Sequence, residues 1–361
     1  MFYFLHSFKD ISIFFNLFRY ITFRAAGASV TAFLLSLWLG PKIIEWLKTF
    51  NVTQNQKREY AQQIHGFYAH KEKVPTMGGI MIVASIVLSM LFWGNLTNRF
   101  IWILLAATVW FGGVGFLDDW IKLRSKSSKG LSSFTKMAGQ LLMGLAIGLY
   151  LYMDPDFDKW LYLPLIKRGA VYLGVLFIPF VVLVLVGSSN ALNLTDGLDG
   201  LAIGCTLLTA ASLGLISYLV GRVDFAAYLS IPYIPEAGEI SVFTAALFGA
   251  SAGFLWFNCY PAQVMMGDTG SLALGGLIGT IAVLIKKEVV LMIVGGVFVW
   301  EALSVILQVA SFKMFRRRIF KMSPFHHHLQ LKGWPESKVT IRLWIIALFL
   351  AIVGLSTLKV R

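Results

Sequence analysis

Charged side chains are scarce in this sequence. Of its 361 residues, 14% are charged, whereas a soluble globular protein carries about 25%. Hydrophobic residues make up 57% of the chain, and its mean hydropathy is +0.74. This composition excludes a soluble globular domain. The apolar stretches recur at about 20 residues each, which is the length that crosses a bilayer as a helix.

Cysteine is also rare, and Cys205 and Cys259 are its two instances. Both lie in or beside apolar segments, so the sequence contains neither a disulfide framework nor the cysteine spacing of a metal site. We expect both to be small buried side chains.

The first residues lack the basic, apolar and small-residue order of a cleavable signal peptide. They are aromatic and are interrupted by Lys9, Asp10, Arg19 and Arg24. This pattern predicts an interfacial segment over about 1–20, followed by a single transmembrane domain, so that 1–361 form one unit.

The net charge of +13 does not indicate a nucleic-acid partner here. In a membrane protein, basic residues more often mark cytoplasmic loops and contacts with anionic headgroups. We therefore expect membrane lipids as partners and no nucleic acid.

The apolar runs predict an all-α integral membrane protein, a polytopic bundle of about ten transmembrane helices. The approximate spans are 21–47, 76–94, 100–117, 135–152, 171–188, 201–221, 240–257, 269–285, 289–310 and 340–358. Ten crossings place both termini on one side of the membrane. The loops on the other side are then 48–75, 118–134, 189–200, 258–268 and 311–339.

Lysine and arginine concentrate in this second set of loops, so the positive-inside rule assigns it to the cytoplasm. The conspicuous polar clusters lie in or beside the same loops. The sequence therefore predicts cytoplasmic catalytic loops that meet at one surface of a bacterial cytoplasmic (inner) membrane.

Two adjacent carboxylates, Asp118 and Asp119, follow directly after an apolar run. One interpretation is a solvated helix end, neutralised by the basic residues that come next. The other is a site in which one carboxylate helps to hold a divalent cation and its neighbour takes part in acid–base chemistry. Mg²⁺ is bound by few carboxylates together with substrate phosphates, so it needs no complete protein cage.

The segment "NLTDGLDG" (193–200) adds Asp196 and Asp199, which share a face if the segment is helical. A cap or turn explains one such aspartate, but two aspartates with Asn190 and Asn193 favour function. In "MGDTGS" (266–271), Asp268 is either a helix N-cap or a metal ligand, and the other acidic residues favour the ligand.

Three consecutive histidines, His326, His327 and His328, could suggest zinc, but neighbours on one segment rarely point at a common ion. Recognition of an anion or phosphate is the simpler interpretation. Glu301 lies deep in the ninth predicted span, far from the loop clusters. We interpret it as an interhelical hydrogen-bond partner rather than a site residue.

Five motifs resemble those of the bacterial phospho-N-acetylmuramoyl-pentapeptide transferases. They are "PTMGG" (75–79), "FLDDW" (116–120), "NLTDGLDG", "MGDTGS" and "PFHHHLQLKGWPE" (324–336), and they occur in the family's order. The resemblance implies transfer of phospho-N-acetylmuramoyl-pentapeptide from its UDP carrier to undecaprenyl phosphate. The products are lipid I and UMP, and the reaction requires Mg²⁺. The family also suggests a homodimer.

The resemblance also implies roles for individual residues. Asp268 and Asp118 match the metal site, with Asp118 a candidate base and Asp119 its support. His326 matches a catalytic position in the motif that shapes the diphosphate or sugar end. The positions that match substrate-binding residues are Lys71, Thr76, Lys122, Lys136, Asn190, Asn193, Asp196, Asp199, Asn258, His327 and His328.

The sequence departs from the family pattern in three places. The segment before "PTMGG", which contains Lys71, lacks the usual motif; Met265 replaces an aromatic residue; and Gln330 replaces a glutamate. Two other functions compete with the one implied. A sister transferase would move N-acetylglucosamine-1-phosphate, and a secondary transporter would place its carboxylates near the middle of the membrane.

Overall fold

The computed structural model describes residues 1–49, 74–125, 130–164, 166 and 169–359. Lys71 lies outside the described residues. The helices are α1 (Ile21–Thr49), α2 (Gly79–Trp93), α3 (Arg99–Arg124), α4 (Ser133–Met153), α5 (Phe177–Thr195), α6 (Leu201–Val220), α7 (Val223–Leu229), α8 (Ala237–Asn258), α9 (Gly267–Leu284), α10 (Glu288–Val294), α11 (Gly296–Phe315), α12 (Phe325–Gln330) and α13 (Glu336–Ser356).

The prediction of an all-α polytopic membrane protein is confirmed. In the part of the chain that the structure describes, nine helices are long and apolar enough to cross a bilayer. The second predicted span corresponds to α2, an apolar helix of 15 residues.

Helix α9 lies at the centre of the bundle, and all its residues from Thr269 to Leu284 are buried. It packs against α2, α3 and α5. Glycines let these backbones approach closely: a Cβ built on Gly79 would lie 2.1 Å from the Gly270 nitrogen, and one on Gly275 would lie 2.5 Å from the Ser188 carbonyl oxygen. The surrounding helices therefore fix the position of the first residues of α9.

The long helices alternate in direction. Helices α1 and α8 run in parallel, since Ser29 contacts Gly249 and Ser36 contacts Gly253. The ends of α1, α3, α5, α8 and α11 and the starts of α2, α4, α6, α9 and α13 consequently share one end of the bundle. We call this end the acidic face, because it carries Asp118, Asp119 and Asp268. The other end, with 94–98, 154–164, 169–176, 221–236 and 285–287, is the opposite face.

Two predicted loop boundaries are wrong. In both cases the helix continues beyond the end of its apolar run, through residues with polar side chains. Helix α3 extends to Arg124, so Asp118 and Asp119 are helical rather than part of a 118–134 loop. The Lys122 ammonium pairs with Asp118 one turn away, which supports helix at this point. Helix α5 extends to Thr195, and it therefore carries Asn190 and Asn193.

The acidic motif 193–200 is not helical beyond Thr195, so the shared helical face expected for Asp196 and Asp199 does not form. Asp196 is the C-cap of α5, and Gly200 adopts a left-handed conformation with φ 73° before α6 begins. This turn leaves room for the side chains that pack against it.

The opposite face departs from the prediction in two further places. Strand β1 (Trp160–Tyr162) pairs antiparallel with β2 (Ala170–Tyr172), so the fifth span begins with α5 at Phe177 instead of at 171. The ninth predicted span, 289–310, is divided at Gly295 into α10 and α11. Adjacent glycines at 295 and 296 weaken the helix at this position.

The N-terminal segment forms two 3-10 helices, Phe2–Phe8 and Ile13–Arg19. Its exposed apolar side chains include Phe4, Phe8, Ile13 and Phe14. These suit an interfacial segment, which remains a prediction. Of the two cysteines, Cys205 is buried as expected, whereas Cys259 is exposed because it directly follows the end of α8 at the acidic face.

Candidate active site

Three carboxylates converge at the acidic face. Asp118 and Asp119 come from the last turns of α3, and Asp268 from the first turn of α9. One oxygen of each lies within 4.8 Å of the other two. The helices touch here, since a Cβ on Gly115 would lie 2.1 Å from the Asp268 carbonyl oxygen. We call Asp118, Asp119 and Asp268 the acid triad.

Two lysines are inserted into the acid triad. The Lys122 ammonium contacts the Asp118 carboxylate and lies 3.0 Å from Asp268 Oδ2 and 3.7 Å from Asp119 Oδ1. Lys136, on the first turns of α4, lies 2.5 Å from Asp268 Oδ2 and 3.3 Å from Asp118 Oδ2. Three carboxylates against two ammonium groups leave a formal charge of −1 when all are ionised.

The two adjacent aspartates have different partners. Asp119 Oδ2 accepts hydrogen bonds from the Thr269 backbone N–H at 2.9 Å and its hydroxyl at 2.8 Å, so Asp119 caps the start of α9 from another helix. Asp118 Oδ1 accepts from the Leu131 N–H at 2.9 Å and thereby fixes the segment before α4. The alternative of Asp268 as the cap of α9 is wrong: the N-cap position is Met266, and no side-chain cap bond forms there.

Asn193 belongs to the same cluster. Its amide nitrogen donates to Asp268 Oδ1 at 2.8 Å and to the Ser271 hydroxyl at 2.7 Å. Asp268 Oδ1 is therefore held by an amide while its Oδ2 faces the two lysines. Asn190 lies one turn earlier on α5 and donates instead to Gln140 Oε1 and the Val186 carbonyl oxygen.

The donor set of the acid triad fits a hard divalent cation. Carboxylate oxygens are the ligands that Mg²⁺ and Ca²⁺ prefer, and in the described part of the chain neither a cysteine nor a histidine joins this cluster. Asp268 is the most accessible of the three, with 17% of its side chain exposed, against 1% for Asp118 and 4% for Asp119. A ligand would therefore approach the triad from the Asp268 side.

A second group of polar residues connects the loops beside the triad. Asn258 Oδ1 accepts from the Gly200 N–H at 3.1 Å, and its amide nitrogen donates to the Val264 carbonyl oxygen at 2.8 Å. Asp199 Oδ2 accepts from the Ala262 N–H at 3.0 Å, while the Asp199 N–H donates to Glu336 Oε1 at 2.7 Å. These contacts join the turn at 196–200, the segment 259–266 and the start of α13.

The segment 74–78 lies against the start of α9. The Gly78 N–H donates to the Met265 carbonyl oxygen and the Met265 N–H donates to the Pro75 carbonyl oxygen. A Cβ on Gly267 would lie 2.7 Å from Asp119 Oδ2 and 3.0 Å from the Thr76 hydroxyl oxygen, so Thr76 adjoins the acid triad. The Met265 side chain is buried.

The three histidines of α12 have three different partners. His326 Nδ1 is 3.1 Å from Glu301 Oε2, and His327 Nδ1 is 2.9 Å from Gln330 Oε1. His328 Nδ1 accepts from the Lys321 N–H at 3.0 Å. The Nδ1 atoms of the three rings therefore face three different groups.

Glu301 was expected to make an interhelical hydrogen bond, and this is confirmed: it joins α11 to His326 on α12. Its expected distance from the loop clusters is wrong. His326 packs against Gly197 of the 196–200 turn, where a Cβ would lie 2.2 Å from His326 Nε2. His326 of α12 contacts both Glu301 and Gly197, and this arrangement brings Glu301 next to a loop cluster.

The comparisons with known proteins agree with this geometry. The Glycosyl transferase family 4 matches residues 101–286, a region that contains the acid triad, both lysines and the turn at 196–200. A phospho-N-acetylmuramoyl-pentapeptide-transferase of Citrifermentans bemidjiense is 50% identical over 347 residues, which is 96% of each chain. The chain belongs to the phospho-N-acetylmuramoyl-pentapeptide-transferase family.

Four residues of the site were not singled out in the sequence. Thr269 and Ser271 lie inside the motif that contains Asp268, and Glu336 ends the histidine motif, so motif membership was an available signal for them. Gln140 carries no such signal, because it is an isolated amide in an apolar helix and its partner Asn190 is on α5.

Proposed function

We propose that the protein transfers phospho-N-acetylmuramoyl-pentapeptide from its UDP carrier to undecaprenyl phosphate, releasing UMP and forming lipid I. The observation that carries the proposal is the convergence of the acid triad with Lys122 and Lys136 at one end of a membrane bundle. Family membership favours this reaction over transport, and the relative's name states the group that is moved.

The reaction exchanges one pyrophosphate linkage for another. An oxygen of the lipid phosphate attacks the phosphorus that is attached to the sugar, a new P–O bond forms, and the P–O bond to UMP breaks. The electron pair of that bond leaves on the phosphate of UMP. Because similar bonds are broken and formed, the main tasks of the protein are to position the reactants and to stabilise charge.

We propose Asp118 and Asp268 as ligands of Mg²⁺. When bound, Mg²⁺ neutralises negative charge on phosphate oxygens. Asn193 supports this assignment because it holds Asp268 Oδ1 and leaves Oδ2 directed at the centre of the cluster. Asp119 acts indirectly. Its Oδ2 accepts two hydrogen bonds from Thr269 and thereby holds the start of α9 against α3.

The lysines reduce the repulsion between the acid triad and the incoming phosphates. The Lys122 ammonium contacts all three carboxylates and the Lys136 ammonium contacts two, and both remain partly exposed, with 34% of the Lys122 side chain and 22% of the Lys136 side chain accessible. Both can therefore exchange a carboxylate contact for a phosphate oxygen. Asp118 is the candidate base that deprotonates the lipid phosphate.

The remaining assignments concern substrate binding. We propose that the nucleotide binds near the turn at 196–200 and the segment 259–266, and that α12 contributes to the diphosphate or sugar end. Asp199 and Asn258 support the first proposal through the loops that they join. The residues included are Lys71, Thr76, Asn190, Asn193, Asp196, Asp199, Asn258, His326, His327 and His328.

The cellular setting is proposed on the same basis. Among the described residues, Lys122 and Arg124 of α3 and Lys313 of α11 lie in the last turns of helices that end at the acidic face, so we propose that this face is cytoplasmic and that the protein resides in the bacterial cytoplasmic membrane. A homodimer, which the family suggests, remains a prediction.

The decisive experiment measures UMP release by purified protein with UDP-N-acetylmuramoyl-pentapeptide and undecaprenyl phosphate. We expect release with Mg²⁺ and loss of release with a chelator, restored by added Mg²⁺. Activity that is unaffected by chelation would contradict the metal proposal. A preference for UDP-N-acetylglucosamine would favour the sister transferase, and substrate uptake into vesicles without UMP release would favour a transporter.

The natural cysteines allow a test of orientation. Cys259 is exposed at the acidic face, whereas Cys205 is buried. A membrane-impermeant maleimide should label the protein in inside-out vesicles and leave it unlabelled in right-side-out vesicles, and Cys259→Ser should abolish the label. The reverse pattern would place the acidic face outside the cytoplasm.

A further inference from the structure

Glu301 and His326 form a completely buried pair beside the proposed site. Both side chains are 0% exposed. Glu301 Oε2 lies 3.1 Å from His326 Nδ1 and accepts a hydrogen bond from the His326 backbone N–H at 3.3 Å. One carboxylate oxygen therefore meets both the ring and the backbone of the same residue, and this fixes the direction of the imidazole.

Two atoms of this pair have no hydrogen-bond partner among the described residues. They are Glu301 Oε1 and His326 Nε2, both of which are buried. A buried polar atom without a partner costs about 1–3 kcal/mol. Packing alone does not explain such a pair, since an apolar side chain at 301 would avoid this cost.

The contacts determine which ring nitrogen carries the proton. An ionised carboxylate can only accept hydrogen bonds, so in a neutral imidazole that faces an ionised Glu301 the proton is on Nδ1. His326 Nε2 then has a lone pair. It points at Gly197, where a Cβ would lie 2.2 Å from it, so any larger residue at position 197 would displace the ring.

We propose that Glu301 is a positioning residue that holds His326 in the Nδ1–H form and presents Nε2 as a hydrogen-bond acceptor at the 196–200 turn. The ligand chemistry that fits is an O–H or N–H donor of the bound nucleotide sugar, which reaches Nε2 only when the 196–200 turn moves away from the buried ring. This inference rests on the proposed function, because His326 must contact the substrate for Glu301 to affect turnover.

A spectroscopic test examines the proton position without relying on activity. The chain has six histidines, so ring-¹⁵N-labelled protein compared with its His326→Gln variant isolates the His326 signals. We expect a protonated Nδ1 and an unprotonated Nε2 in the wild-type protein, and loss of this preference in Glu301→Met. An Nε2–H form in the wild-type protein would overturn the inference.

A kinetic test uses a double-mutant cycle. Glu301→Met keeps the length of the side chain and removes the acceptor, and we expect kcat to fall about 10- to 100-fold with little change in KM. The variant Glu301→Met/His326→Gln should be no slower than His326→Gln alone. Losses that multiply in the double variant would show that Glu301 acts independently of His326 and would overturn the inference.

The controls separate the possible failures. The Glu301 and His326 variants should retain their thermal midpoints in detergent within a few degrees. Glu288→Gln, which places an amide at a buried carboxylate of the opposite face, should keep the wild-type kcat. Wild-type protein without UMP release would contradict the proposed function, whereas the ¹⁵N result would still decide the proton position.

Discussion

The two ends of α9 carry contrasting charged clusters. At its start, Asp268 meets two further carboxylates and two lysines from two other helices, α3 and α4. Just past its end, Lys286 lies 3.4 Å from Glu288 Oε1, with the rings of Phe177 and Phe157 at 4.7 and 5.5 Å from its ammonium. Both clusters are charged, but their accessibility differs greatly.

The side chains of Lys286 and Glu288 are 1% and 2% exposed, whereas Lys122 and Lys136 at the acidic face are 34% and 22% exposed. A sealed ion pair has little capacity to exchange partners, so its effect is on stability and on the arrangement of its loop. An open cluster with unequal numbers of acids and bases can accept new charged partners. The difference indicates that position and access, rather than charge itself, distinguish a reactive cluster from a structural one.

The largest effect is expected from removing a negative charge at the open end of α9, the end that carries the acid triad. Asp268→Asn should lower kcat by on the order of 10³-fold, because the lysines and the proposed metal lose their most accessible carboxylate. The thermal midpoint should stay close to that of the wild-type protein. UMP release and differential scanning fluorimetry measure the two quantities, and near-normal turnover in both Asp268→Asn and Asp118→Asn would reduce the open cluster to a solvated helix end.

A smaller effect is expected from changing the geometry of the open end without changing its charge. Gly115→Ala adds a methyl group 2.1 Å from the Asp268 carbonyl oxygen, so α3 and α9 must separate. We expect kcat to fall by about 10²-fold, because a shift of about 1 Å misaligns the acid triad.

Gly113→Ala is the matched control for this change. Its added Cβ would have no neighbour within 4 Å among the described residues, and an alanine in a helix stabilises it by about 0.5–1 kcal/mol relative to glycine. Turnover should therefore remain normal. Equal losses of kcat in the two variants would show that the close contact at Gly115 is not important for the site.

At the sealed end of α9, which is followed by the buried pair Lys286 and Glu288, we expect an effect on stability only. Glu288→Gln leaves the buried Lys286 ammonium without its anion and should lower the free energy of unfolding by about 1–3 kcal/mol, with kcat unchanged. Thermal unfolding and UMP release on the same preparation test this. If turnover fell while the midpoint stayed constant, the two ends of α9 would be functionally coupled.

The smallest effect is expected at the margin of the open end. Partial burial, and then the positive charges of Lys332 and Lys321, lower the pKa of His328. The folded protein therefore binds this proton less readily than the unfolded chain, and the stability that neutral His328 contributes is lost as the pH falls through its ordinary range and below.

Hydrogen exchange can measure this loss, because the Lys321 N–H donates to His328 Nδ1. The protection factor of the Lys321 amide should decrease below neutral pH, and it should become independent of pH in His328→Gln. Constant protection in the wild-type protein down to pH 5 would show that His328 does not accept this bond.

Composition and hydrophobic periodicity determined much of the fold. The scarcity of charge and the lengths of the apolar runs predicted the membrane class, nearly all the crossings and the shared end for the polar motifs. Such patterns work because a bilayer requires each crossing segment to satisfy its own backbone and to present apolar side chains. The same patterns placed Asp118, Asn190 and Asn193 in loops, because periodicity cannot follow a helix past the point where its side chains become polar.

Only the tertiary structure decided how the polar groups are paired. Asp119 caps α9 from 150 residues away, Asn193 holds Asp268, and Glu301 faces His326. Each pairing depends on how two helices are rotated and placed relative to each other. The sequence of either helix alone does not determine this. Close contacts at Gly115 and Gly275 fix those rotations, and they therefore determine which carboxylates meet and which remain apart.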